Sequence, residues 1–578
     1  MNDRPGRDCT SSGLAVRLVR CCLTLPCEKR DKTAVGQKLA VSKSPVVNLG
    51  VSVMKRNSLT TAVVAGIAGT VGIANIASAV NLNPDGLGQV LIYPYYTVNT
   101  NGSGENLQTL FSVVNTTDQG KAVKVRFVEG YNSREVRDFH VYLSPYDVWT
   151  ATLFKLPDQT QANLVTDDNS CTVPRIKGAT GNGLGQLPDG RSYLPFTNAR
   201  YSGAYDDGGP TGLARTREGH FEIIEMGTVV NRTNGSLTAI THVAGTPTNC
   251  AKVVGAWVGV PAGYWITDPN IDIDPPTGGL FGSALLVDVS SGVSAGYSAD
   301  AIDGFISDGV SNLHGVPGDV NPSLSSVGGA QIDSTAYVFN NGSLIQATYG
   351  ASAPGSRKID AVSALFTQNN IFNEYVLGGA AAATTDWVVT FPTKRFYVDN
   401  LIVGATAIAP FVQVFDGVSE VQVGLFPFNR EEAAPGSCTG SDADNPNCGV
   451  CFSPCDDPTF NTPVLSYEAQ VISFQTAADF SADPTSPVLG SALASNVDVR
   501  ADNLSEGWMR IGFNPTSEPH QLNASSEGEV FDGLPATGFA ITNYVNANVA
   551  GRLANYSGLW HHKGSRSCSA AAGTLACS

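Results

Sequence analysis

Apolar residues recur at every second position along much of this chain, which is the period of a half-buried β-strand. KAVKVRFVEG (121–130) places Val123, Val125 and Phe127 on one face, with Lys124 and Arg126 opposite. The same β-rich character marks QVLIYPYYTV (89–98), DFHVYLSPYDVWTATLF (138–154), HFEIIEMGTVV (220–230), AKVVGAWVGV (251–260), SALLVDV (283–289) and STAYVFNNGSLIQATY (334–349). It continues through DWVVTFPTKRFYV (386–398), FVQVFDGVSEVQVGLF (411–426), PVLSYEAQVISF (463–474) and ATGFAITNYVN (536–546). NG, DG, GG and PDG turn signals separate these runs. A single helix is expected around KIDAVSALF (358–366), with Ile359, Val362, Ala364, Leu365 and Phe366 forming its apolar side. The pattern predicts an all-β fold: a β-sandwich or jelly-roll-like set of antiparallel sheets, with long disulfide-bearing loops and very little helix. An outer-membrane barrel is the rival all-β reading. Irregular strand spacing and a chain ending LACS rather than in an aromatic strand argue against it.

The N-terminus is read apart from the fold. Residues 54–79, MKRNSLTTAVVAGIAGTVGIANIASA, carry a basic start at Lys55 and Arg56, an apolar stretch from Leu59 to Ile76, and an A-x-A cleavage site at Ala77-Ser78-Ala79. This is a secretory signal peptide, too Ala/Gly-rich for a transmembrane anchor. Residues 1–53 hold nine Lys/Arg and four of the twelve cysteines, and they read as an upstream extension ahead of a true start at Met54. The mature chain, 80–578, has 24 basic and 47 acidic residues, net −23. That charge excludes nucleic acid as a partner, because a nucleic-acid surface needs a basic stripe. It also opposes close packing of copies unless a cation intervenes.

Eight cysteines remain: Cys171, Cys250, Cys438, Cys448, Cys451, Cys455, Cys568 and Cys577. An even count in an exported chain predicts disulfides. The 438–455 cluster, C-x9-C-x2-C-x3-C, sits in a Gly/Asp/Pro-rich loop without histidine, so disulfide is favoured there over zinc or iron–sulfur. Cys568 with Cys577 closes a short loop, and Cys171 with Cys250 is the pair left over. Composition shifts at 155–219 and at the Cys-rich insertion 427–462 mark excursions from a scaffold. A cut near 267–280 divides an N-terminal β-rich region (80–275) from a C-terminal one (276–578).

Catalytic motifs are weak. Gly292-Val293-Ser294-Ala295-Gly296 matches G-x-S-x-G, yet Val293, Ala295, Tyr297 and Ala299 alternate as in the second strand of a hairpin, not the strand-turn-helix of a nucleophile elbow. The run 181–185 lacks the glycine spacing of a phosphate loop. The seven histidines show no metal-site spacing, and His561-His562 reads as a solvated patch. Asp268, Asn270, Asp272 and Asp274 space oxygen-bearing side chains by two, which in an extended segment aligns them for Ca²⁺. Polar turn residues facing water are the other reading. Asp442, Asp444 and Asn447 form a weaker second cluster. Tyr93, Tyr95 and Tyr96, with Tyr142, Tyr146 and Trp149, either line a carbohydrate-binding face or fill the space between sheets.

IYPYYTVNT, KVRFVEGYNSREVRDFHVYLSPYDVWTA, TTDWVVTFPTKRFYV, GWMRIGF and ANYSGLWHHKGSRSC resemble stretches of an uncharacterised family of exported proteobacterial cell-surface proteins. The resemblance covers most of 89–568. It implies location and fold class, and it supplies no catalytic residue. The expectation is a secreted, non-enzymatic protein of the cell surface or extracellular matrix, structural or adhesive, self-assembling or bound to other surface components. The alternative is a carbohydrate-binding protein or a polysaccharide-active hydrolase on a β-sandwich. No cofactor other than Ca²⁺ and no transmembrane anchor are expected.

Overall fold

Strands form where the alternation is cleanest. The computed structural model describes residues 79–431, 463–475, 486–499, 504–570 and 577, with 102, 103, 105, 182 and 380 excepted. The extension 1–53, nearly all of the signal segment, most of the 427–462 insertion with its four cysteines, and the cluster Asp442, Asp444, Asn447 lie outside the described residues.

Eleven strands run through the first part of the described chain: β1 (Val80–Leu82), β2 (Val90–Thr97), β3 (Gln108–Asn115), β4 (Gly120–Glu129), β5 (Glu135–Leu143), β6 (Val148–Phe154), β7 (Asn163–Val165), β8 (Cys171–Val173), β9 (Gly185–Gln186), β10 (Ser192–Pro195) and β11 (Glu218–Val229). A small hairpin, β12 (His242–Val243) with β13 (Thr246–Pro247), and a short β14 (Ile273–Asp274) follow. The next strands are β15 (Leu280–Asp288), β16 (Val293–Ser298), β17 (Asp300–Asp303), β18 (Asp333–Asn340) and β19 (Ser343–Gly350). The larger sheet runs β19-β18-β1-β17-β2-β11-β4-β5-β8, with β14 paired to β11. The second runs β16-β15-β3-β6-β7-β10-β9. Within these two sheets pairing is antiparallel except where β1 meets β18. The β18–β19 turn is the predicted NNG, where Asn341 (φ 48°) and Gly342 (φ 92°) adopt the left-handed conformation a two-residue hairpin demands.

The two sheets face each other across an aromatic core. Phe221 stacks on Tyr93 with ring centroids 4.1 Å apart, Phe111 meets Phe221 at 4.8 Å, and Trp149 meets Phe139 at 5.6 Å. A further five-stranded sheet (Ala494–Asp498, Ala469–Gln475, Ala383–Thr390, Thr537–Val549, Arg552–His561) is buried on both sides at its centre, while its edge strand Arg552–His561 is partly exposed. Val388, Val471 and Phe539 enter the aromatic core, while Trp387, Val389 and Ile472 enter a second one. The expected helix is present as a helix over Ile359–Phe366, but all eight of its residues are buried, so it is a core element rather than a one-sided surface helix.

Several local expectations change. AKVVGAWVGV is not a strand: Cys250–Gly255 is helical, started by the Asn249 side chain accepting from the Lys252 amide at 3.2 Å. The strand in DWVVTFPTKRFYV stops at Thr390, before Pro392, and Arg395–Val398 turns helical. In 411–426 only short stretches from Val421 onward pair. The cut at 275/276 does not separate sheets, because β15 pairs with β3 and β17 with β2.

The largest correction concerns the polar face of β4. Lys124 and Arg126 are buried, not solvated. Lys124 pairs with Asp138 at 3.2 Å, and Arg126 pairs with Glu135 at 2.9 Å and with Glu222. Period two separates two faces; it does not say that the polar one meets water.

Candidate functional site

The calcium candidates do not converge. Asp272 has left-handed backbone (φ 58°), which turns its side chain inward. Its carboxylate accepts from the amides of Arg232, Thr233, Asn234 and Ser236 and from the Ser236 hydroxyl. Burial alone would raise its pKa; these donors pull it down to about 2. Asp274 is bound by Arg232, Asn270 accepts from Asn312 at 2.9 Å, and Asp268 caps the Asn270 amide at 2.9 Å. The segment is an anchor for the 232–236 loop. Among the described residues no three His, Cys, Asp or Glu side chains form a metal-binding group.

The tyrosines resolve in the same direction. Tyr93, Tyr95, Tyr96, Tyr142 and Trp149 are wholly buried, and Tyr146 alone is exposed, so they do not form a sugar-binding face. Ser294 lies on the exposed side of β16 within the β15–β16 hairpin, as its alternation requires. Cys171–Cys250 and Cys568–Cys577 are disulfide-bonded.

His561 is half-buried at the edge of a cleft, and His562 beside it is not solvated. The Nε2 of His562 donates to the Val388 carbonyl (2.9 Å), its Nδ1 accepts from Asn373 (3.0 Å), and burial lowers it to about 4.

His314 is held more tightly. Its Nδ1 donates to the Pro269 carbonyl (2.8 Å), so its Nε2 accepts from the Tyr142 hydroxyl (3.0 Å), which accepts from the Trp257 indole (2.8 Å). Burial lowers His314 to about 4, against the pull of the Pro269 carbonyl. A depressed folded value means that its stabilisation is present above the ordinary 6.5 and is lost as pH falls through 4. Over that window the neutral ring contributes a slope of about 1.4 kcal/mol per pH unit. Urea unfolding of His314→Gln at pH 6.5 and pH 4 should lack this increment relative to the parent. Parallel pH profiles would show that the ring charges freely in the fold.

The sequence did not point to an open cleft among the described residues. It encloses about 670 Å³ over the outer face of the second sheet. Two rows of side chains cross its floor, set by register. Thr150 lies opposite Ser112, Ser112 opposite Ser283, and Ser283 opposite Ser298. One step along, Thr152, Leu110, Leu285 and Gly296 form a more apolar row. The first row is four hydroxyls at the ~4.8 Å strand spacing, with Ser112 and Ser283 oxygens 3.5 Å apart. Its one carboxylate among the described lining residues, Asp167, pairs with Arg191 at 3.1 Å on the exposed rim. Leu559 and His561 close one side. The only sequence signal was Ser and Thr at the polar positions of four amphipathic strands, two near the start of the fold and two well over a hundred residues later.

No family model, curated protein or solved structure matches the chain. Fold and cleft therefore define it only as an all-β, disulfide-bonded protein with a hydroxyl-lined groove. Among the described residues, no helix is long and apolar enough to cross a membrane.

Proposed function

We propose that this is an exported, non-catalytic protein of the cell surface or extracellular matrix, adhesive in function, which holds a neutral polyhydroxylated chain in its cleft. The observation that carries this reading is the hydroxyl row Thr150–Ser112–Ser283–Ser298 beside the apolar row Leu110–Leu285. Hydroxyls both donate and accept, so they match sugar hydroxyls without the desolvation cost of charges, and the apolar strip suits the C–H faces of sugar rings. The disulfides support an oxidising compartment.

Binding to cellulose, dextran and starch tests the cleft. Ser112→Val with Ser283→Val removes two hydrogen-bonding groups at roughly 1 kcal/mol each, so affinity should fall ten- to thirtyfold with the melting temperature retained. Unchanged retention on every polysaccharide that the parent binds, or no binding by the parent, overturns the reading. Export has its own test. Secreted material should begin at Val80, and N-terminal sequencing that returns residues from 1–53 would refute both the start and the cleavage site.

A further inference from the structure

Beside the cleft, and sharing Ser298 and His561 with it, lies a second pocket of about 290 Å³. We propose that this pocket binds a carboxylate carried on an apolar body, with Arg566 as its counter-charge.

The walls divide by chemistry. Leu82, Leu365, Phe366, Ile371 and Ala536 supply the apolar part. Gly538 gives the pocket its close-packed wall: a Cβ there would lie 1.9 Å from the Val388 carbonyl oxygen, so strand 537–549 approaches strand 383–390 only as glycine allows. Arg566 supplies the charge. Its Nη1 donates to the Ala364 carbonyl at 3.1 Å and its Nη2 to the Leu365 carbonyl at 2.5 Å, at the C-terminal end of helix Ile359–Phe366. Those carbonyls and the negative end of the helix hold the guanidinium in place, and they do not neutralise it. Among the described residues it meets no carboxylate within ion-pair distance. Burial lowers it only to about 10, so it is charged at neutral pH. A guanidinium largely removed from water and left without an anion is costly, and three of its five N–H donors lie outside those two bonds, free to take a carboxylate.

The remaining polar groups fit the same ligand. His562 has both ring nitrogens committed and is neutral, so it is wall. Asp300 accepts from the Thr537 hydroxyl at 2.6 Å. Burial pushes its carboxyl up, against the pull of Thr537 and His561, so it ionises less readily than a free carboxyl. Two sources offer this chemistry: a free small carboxylic acid, or an acidic sugar of a separate anionic polymer.

Benzoate, with neutral benzamide as its isostere, is the probe, titrated calorimetrically into the purified protein. Benzoate should bind saturably and at least tenfold more tightly than benzamide. Arg566→Gln, which removes the charge, and Leu82→Trp, which fills the pocket with Arg566 in place, should each weaken benzoate at least tenfold. If Arg566→Gln does not fold, Leu82→Trp decides. Displacement of benzoate by oligogalacturonate assigns the carboxylate to a polymer, and displacement by short free acids alone assigns it to a small molecule. No saturable benzoate binding, equal binding of benzamide, or benzoate affinity unchanged in Leu82→Trp overturns the proposal. Ser112→Val with Ser283→Val should leave benzoate binding intact, so failure of the cleft reading and failure of this one are separable.

Discussion

Replacing Arg215 by methionine is expected to cost the fold on the order of 3–5 kcal/mol, the range for breaking a buried ion pair from one side. The Arg215 side chain is fully buried. Its Nε and Nη2 donate to the two oxygens of Glu129 at 2.8 and 2.9 Å, and its Nη1 and Nη2 donate to those of Asp207 at 2.7 Å each. The guanidinium also lies 4.5 Å from the centroid of the Tyr201 ring. Glu129 in turn accepts from the amides of Tyr131, Asn132 and Arg134, so it holds the β4–β5 turn. Methionine matches the volume, strands the Glu129 carboxylate in a low-dielectric interior and leaves Asp207 only the Arg134 guanidinium at 3.6 Å as a charged partner. Adding Glu129→Gln and Asp207→Asn should recover part of the loss, since the penalty belongs to the unpaired charges. A urea midpoint for Arg215→Met within about 0.5 kcal/mol of the parent would mean that these carboxylates reach water, contrary to the structure.

Cys171→Ser with Cys250→Ser should destabilise by a comparable amount. The bond joins β8, at the edge of the larger sheet, to the helix Cys250–Gly255 across 79 residues, with Cα atoms 5.1 Å apart. By the chain-entropy relation, opening a loop of that length returns roughly 4–5 kcal/mol of freedom to the unfolded state. Cys568–Cys577 spans only 9 residues, and the same relation assigns it less than 3 kcal/mol. Thermal or urea unfolding of the two serine pairs should rank them in that order. Equal losses would show that strain or unfolded-state structure, not loop length, governs these bonds.

Both effects fall on features that differ in how visible they are in the chain. The two disulfides could be paired by elimination, because few cysteines lie outside the 438–455 loop. The β18–β19 hairpin and the helix at 359–366 were legible for a local reason: Asn341-Gly342 and the apolar spacing act over a few residues. AKVVGAWVGV was misread because a valine-rich run is ambiguous, and the Asn249 cap and the bond at Cys250 decided it for helix.

The sequence by itself determined the strand-dominated architecture, since side-chain alternation and turn chemistry are properties of neighbouring residues. Tertiary structure alone decided what covers each face. Lys124 and Arg126 look like a solvent face until Glu135, Asp138 and Glu222 arrive opposite them. The carboxylates at 268–274 look like cation ligands until the amides of 232–236 fold over Asp272. The hydroxyl row joins Ser112 to Ser283 across 171 positions, and the smaller pocket joins Leu82 to Arg566. A polar side chain carries the same letter whether its partner is water, a backbone amide or a buried charge. Only the register of distant strands selects among them.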